Sequence, residues 1–140
     1  SMRSYLSTDI YNALPADLQS AIIDTKVVSG HGYNNSTNFT STDKLYLLDA
    51  REVYGLSFTN SNNTSKDSER QLDYYSAQGV TTSNRSGAIK QLNGSNYYWW
   101  FRAAYSNTAN HFYNVDRDGT WGTNSYASYA GGVSPAFRIA

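Results

Sequence analysis

Residues 97–105 read YYWWFRAAY, six aromatic rings in nine positions with a single charge among them. An extended chain alternates its side chains between two faces, so Trp99 and Phe101 share one face and Trp100 and Arg102 the other. Rings of that size suit a small sheet that must bury much area with few residues, and core packing is the role expected of this run. Composition agrees: 39% of residues are apolar and 15% aromatic, with thirteen Tyr. A low apolar content alone points to disorder, but disordered chains are poor in aromatics. The chain is therefore expected to fold, with Tyr and Trp carrying much of its core and much of its surface. Its 140 residues fit one domain over 1–140, with Ser1-Met2 read as a cloning remnant.

Charge and residue usage exclude several function classes. The formal net charge is zero, so there is no basic stripe for a phosphate backbone and no nucleic-acid partner is expected. No apolar run approaches a membrane span, and no signal stretch opens the chain, so membrane insertion by this domain is not expected. Cysteine is absent, which removes disulfides, thiolate zinc sites and thiol nucleophiles together.

Along the chain, the expected layout is helices first and a small antiparallel sheet last, an α+β plan. STDIYNAL (7–14) has a Ser/Thr/Asp start with Ile10, Ala13 and Leu14 at helical spacing. A second helix begins with Pro15 at its first position, turning Leu18, Ala21 and Ile22 to the core. TKVVSG (25–30) is a short strand closed by Gly30, and residues 31–43 read as a polar loop. Leu45–Leu48 form a buried strand; Asp49 then caps a short helix, with Glu52 completing a capping box and Gly55 ending it. A second polar loop is expected over 57–67, then a helix over 67–79 with Leu72 and Tyr75 inward and Gly79 at its C-terminus. From residue 88 strands take over: AIKQL, a turn at NGSN, YYWWFRAAY, a hairpin over 111–122 turning at Asp118-Gly119, and GGVSPAFRI.

Three of these stretches, YLLDAREVYG, YYWWFRAAY and GGVSPAFRIA, stand in a set order with the last at the C-terminus. Together they resemble a family of bacterial and phage surface domains that read FLLS…EV, WWLRS and GVRPA. That family is similar to the C-type-lectin-like superfamily and includes target-binding proteins diversified by retroelements. This chain departs from it at FRAA and at Ser134, neither of which threatens the fold. The resemblance implies a C-type-lectin-like fold in which Trp99, Trp100, Phe101, Arg102, Gly132, Val133, Pro135, Ala136 and Phe137 form a constant scaffold.

Between those anchors, residues 103–131 contain no Lys, Glu, Gln or Met. Diversifying retroelements mutate adenines in Asn-type codons, whose products exclude those four residues and Trp, so Trp121 would be a fixed position. A surface of Tyr, Asn, Ser and Gly also suits binding on physical grounds. Tyr gives rigid amphipathic contact area, and Ser, Asn and Gly give adaptable hydrogen bonds, as in antibody paratopes. The candidate anchors are Tyr105, His111, Tyr113, Trp121, Tyr126 and Tyr129. Their polar partners are Asn107, Asn110, Asn114, Asp116, Arg117, Asp118 and Asn124. The expected function is cofactor-free, non-enzymatic binding of a protein or glycan target on another cell or surface. The expected location is extracellular, on a bacterial surface or phage virion. The alternative is an invariant cell-surface or cell-wall module that binds glycan or spaces other domains.

Other motifs are set aside. Asn114, Asp116, Asp118 and Gly119 imitate a calcium loop, but its twelfth position is Ser125 instead of a bidentate Glu. The calcium motifs of carbohydrate-binding C-type lectins are missing, and formylglycine chemistry needs a cysteine. His31 and His111 lie in polar stretches away from carboxylates. Asp49, Glu52, Glu69 and Asp73 fall in capping or helix-surface positions, which leaves no paired acid and base. Sequons at Asn35, Asn38 and Asn84 follow from composition.

Overall fold

The computed structural model describes residues 1–59 and 70–140; the side chains of Ser36 and Asn124 also lie outside the described residues. Helix begins at the second residue, earlier than the 7–14 stretch suggests. α1 (Met2–Tyr5) passes into a π-helical segment (Leu6–Ile10) and then α2 (Tyr11–Ala13). α3 (Ala16–Ala21) has Pro15 as its N-cap and not as its first helical residue. Ile10, Leu14 and Leu18 pack against buried Leu6 and Ile22, whereas Ala13 is exposed. Ile22 has left the helix: β1 (Ile22–Ile23) pairs antiparallel with the closing strand (Arg138–Ile139).

The largest departure from expectation lies at residues 31–43. In place of a polar loop, β2 (Thr25–Gly32) and β3 (Asn35–Asp43) form a long antiparallel hairpin, in register from Thr25–Asp43 to Gly30–Asn38 and shifted before the Gly32–Asn35 pair. One side of β3 faces water, so it needs no apolar alternation, and Thr and Phe supply the strand preference. Asn34, at φ 53°, turns the tip.

Leu45, Leu47 and Leu48 are buried as expected, although β4 (Tyr46–Leu47) is only two residues long. α4 (Ala50–Tyr54) carries the Asp49–Glu52 capping box, with the Asp49 amide donating to the Glu52 carboxylate at 3.4 Å. Gly55, at φ 61°, ends it. Of the second polar loop, Ser57 belongs to a 3-10 turn and Phe58 is buried; residues 60–69, Glu69 among them, are outside the described part. α5 (Asp73–Ala77) is shorter than the 67–79 expected. Its Tyr75 is buried, but Leu72 is an exposed N-cap instead of a core residue.

β5 (Lys90–Leu92) and β6 (Ser95–Tyr97) turn at Asn93-Gly94, whose φ angles of 52° and 80° suit the tight hairpin turn the sequence implies. The main sheet has three antiparallel strands in sequence order: β7 (Trp99–Ala104), β8 (His111–Val115) and β9 (Trp121–Tyr126). β10 (Pro135–Ala136) pairs with β4, and β11 is the closing Arg138–Ile139 strand. The architecture is α+β, a few short helices among small antiparallel sheets drawn from both halves of the chain.

β7 divides the core as its alternation requires. Trp99, Phe101 and Ala103 join one buried cluster with Val53, Tyr54, Phe58, Tyr113 and Val115. Trp100 joins a second with Leu6, Ile22, Leu45 and Leu47. Rings in the first cluster meet edge to face, Phe101 against Trp99 at 5.1 Å and Tyr54 at 6.2 Å, an arrangement that adds to area burial. On the opposite face the Arg102 guanidinium donates to Val28 O at 2.8 Å, Leu47 O at 3.1 Å and Glu52 at 3.1 Å. One buried cation thus ties β2, β4 and α4 onto β7. The β7–β8 and β8–β9 ladders both lose register around Tyr113, and the Arg102 amide bonds Leu48 O instead.

The C-terminal scaffold packs through small residues. Gly132 accepts from Trp100 N at 3.0 Å and donates to Tyr98 O at 2.9 Å; a Cβ there would stand only 2.9 Å from that carbonyl. Val133 joins the second cluster and Ala136 the first. Phe137, expected in the scaffold core, is exposed between β10 and β11.

Candidate binding surface

The thirteen candidate residues do not form one surface. They separate to the two ends of the β7–β8–β9 sheet and to its interior. Tyr113 has no exposed surface and Asn114 almost none, so neither meets a ligand; Tyr113 shares with Val115 the side of β8 that faces the first cluster, and Phe112 packs on the second. Trp121 is half-buried there, 5.3 Å from Phe58. Tyr105 lies half-buried against Tyr113 at 5.7 Å. Asn124 sits in β9, with its side chain outside the described residues.

Asp116, Arg117 and Asp118 lie at the first end, in the turn between β8 and β9. Gly119, at φ 84°, closes that turn; its amide donates to Asp116 O at 2.9 Å, and Asp116 N donates to Thr120 O at 2.7 Å. The turn is pinned from outside. The buried Tyr54 hydroxyl donates to Gly119 O, and Arg85 pairs with Asp118 at 3.0 Å. The Arg117 guanidinium lies over the Tyr97 ring at 5.5 Å. Hydrogen bonds from Thr120, then the Arg85 charge, lower the Asp118 pKa. The calcium-like spacing is thus a structural turn, with Asn114 buried away from the two aspartates.

The second end holds Asn107, Asn110, His111, Tyr126 and Tyr129. Tyr129 and Tyr126 are 52% and 42% exposed, unusual for rings of that size. They meet at 5.2 Å, and Tyr126 meets His111 at 4.6 Å, both edge to face. Backbone bonds brace the ridge: Ala127 N to Asn110 O at 2.8 Å, Tyr129 N to Tyr126 O at 2.9 Å and Tyr105 N to His111 O at 3.0 Å. Asn107 reaches the Tyr105 hydroxyl at 3.3 Å. Sequence reasoning missed that the β2–β3 tip joins this end. Asn34 N donates to Ser106 O at 3.2 Å, which brings exposed Tyr33 beside the 105–110 loop. The tyrosine-asparagine pair at 33–34 was the available signal, hidden by treating 31–43 as loop.

Titratable groups in the interior serve structure. Burial, with Asp49 adding, raises the Glu52 pKa against the opposing pull of Arg102. Burial also raises the phenol pKa of Tyr113 and Tyr54, and pushes Tyr75 up to about 12. Asp49 and Glu52 act in the capping box, and Glu52 also as the partner of Arg102. Among the described residues no three His, Asp or Glu side chains converge as a metal site, and no helix is long and apolar enough to cross a membrane.

Fold and surface together describe an α+β domain with one pinned and one open, aromatic-rimmed end. The family model of DUF6273, a domain of unknown function, matches residues 1–140, and the chain belongs to that family. No curated protein matches it. No solved structure matches it either.

Proposed function

We propose that this is a non-enzymatic ligand-binding domain of C-type-lectin-like fold, displayed on a bacterial surface or phage virion, with its contacts at the open end of the sheet. The observation that carries this reading is the His111–Tyr126–Tyr129 ridge, three contiguous rings of which the two tyrosines are exposed and the histidine half-buried, with exposed Asn107 and Asn110 at the same end. Rigid rings beside amide side chains bind a protein or glycan target at low entropic cost, without a cofactor. The pairing of β1 with β11, which brings segments far apart in the chain together, and the tryptophan-rich strand β7 support the lectin-like architecture.

Retroelement diversification of 103–131 belongs to the same reading and gains a spatial criterion. Variable codons should fall at 107, 110, 111, 126 and 129 and spare 113, 114 and 119. The test is deep sequencing around the gene for a near-copy of the 103–131 segment whose differences lie at adenines. A copy differing at the exposed codons is the expected result. One fixed sequence without a copy sinks diversification and leaves an invariant surface module. Differences concentrated at 113, 114 and 119 count against the open end as the contact surface.

A further inference from the structure

A cavity of about 530 Å³ lies on the Trp100–Arg102–Ala104 face of β7, between the β2–β3 hairpin and the N-terminal helix. The helix covers the Trp100 end of that face through Leu6, and the hairpin stands off from the remainder. Its tip is held at Ala104, which a Cβ on Gly32 would approach to 2.7 Å. The walls are apolar, with Leu6, Val27, Phe39, Leu45, Trp100 and Phe112 prominent. Sites for small organic molecules fall in this size range and have this character, a mostly apolar lining with a few placed polar groups.

The polar groups restrict what fits. Ser29 lines the cavity and is only 8% exposed, yet its hydroxyl makes no hydrogen bond among the described residues. That hydroxyl is open to the cavity, where a ligand group can donate to it or accept from it. The charges nearby are committed to one another. Arg3 pairs with Asp43 at 2.8 Å at the cavity edge, and Arg102 donates to two carbonyls and Glu52. A charged head group would displace one of these pairs at a desolvation cost.

We propose that this cavity is a second binding site, separate from the exposed ridge, for a neutral, mostly apolar molecule of one or two rings that carries a hydroxyl or carbonyl directed at Ser29. Phenylnaphthylamine, a neutral dye that is dark in water and bright in apolar surroundings, is a suitable probe. The expected result is saturable, one-to-one fluorescence enhancement, reversed by neutral naphthol and not by anionic naphthoate. Ser29→Phe, which fills the cavity, and Phe39→Trp, which narrows it, should each weaken binding by about tenfold or more. Tyr126→Ala, outside the cavity, should leave dye binding unchanged. Thermal unfolding of each variant separates a blocked cavity from a lost fold, and Phe39→Trp decides the matter if Ser29→Phe does not fold. No saturable enhancement, enhancement undiminished in the folded cavity variants, or equal displacement by naphthoate overturns the proposal.

Discussion

The two ends of the three-stranded sheet differ both in residue type and in how they are held: Asp, Arg, Gly and Thr make the 116–120 turn, and Tyr, Asn, Ser and His dominate the open end. At the Asp116–Thr120 turn Arg117 and Asp118 each have a partner from elsewhere in the chain, and the Tyr54 hydroxyl reaches up from the core to the Gly119 carbonyl. At the 105–110 and 126–129 end the bracing is backbone to backbone, and the rings contact one another while facing water. Side chains that hold no structure can change without loss of fold. That physical freedom separates a binding surface from a structural turn.

The comparison makes predictions that descend in size. Gly119→Ala should be the most damaging change at either end. Its φ of 84° is costly for alanine, and the new Cβ would sit 2.2 Å from Arg85 O. The strain alone is worth about 1–3 kcal/mol and the clash adds to it; a urea midpoint near that of the native protein would show that the turn is not pinned. Tyr54→Phe should cost about 1–2 kcal/mol by leaving Gly119 O without its donor, read by the same titration.

A third test uses pH on the core that both ends share. Glu52 has a raised pKa, so its contribution to stability is complete below the ordinary value of 4.5 and is lost as pH rises through the raised value. The stability of the native protein relative to Glu52→Gln should therefore fall from acid toward neutral pH; a flat difference would falsify the assignment. Tyr75 obeys the same sign at the alkaline end. Its phenol, pushed up to about 12, should remain protonated in the folded state well past the ordinary value of 10, and ionisation monitored in the ultraviolet should coincide with unfolding. The smallest stability effect belongs to the open end. Tyr126→Ala and Tyr129→Ala should each stay within about 0.5 kcal/mol of the native protein, while target binding is lost. A large destabilisation by either would erase the distinction between the ends.

Much of the local structure was legible in the sequence. The alternation at 99–102 placed Trp99 with Phe101 and opposite Trp100, as the two clusters show. The capping box at Asp49 and Glu52 and the tight turn at Asn93-Gly94 also follow from short-range chemistry. The β2–β3 hairpin was not legible, because a strand with one side in water lacks the apolar alternation that marks strands. Burial of Tyr113 and Asn114 was hidden for a different reason. Alternation puts Tyr113 with Val115 and opposite Phe112, but that both sides of β8 are covered at 113–115 depends on segments far away in the chain.

The sequence by itself determined the capping box of α4, the Asn93-Gly94 turn and the two faces of β7, since caps, glycine turns and face alternation act over a few residues. Only the tertiary structure decided that the Tyr- and Asn-rich third divides into a pinned turn, a buried middle and an open ridge, that Tyr33 joins the ridge, and that a cavity remains behind β7. Those outcomes depend on contacts between residues far apart in the chain, where burial and the competition for hydrogen-bond partners choose among side chains that look alike in sequence.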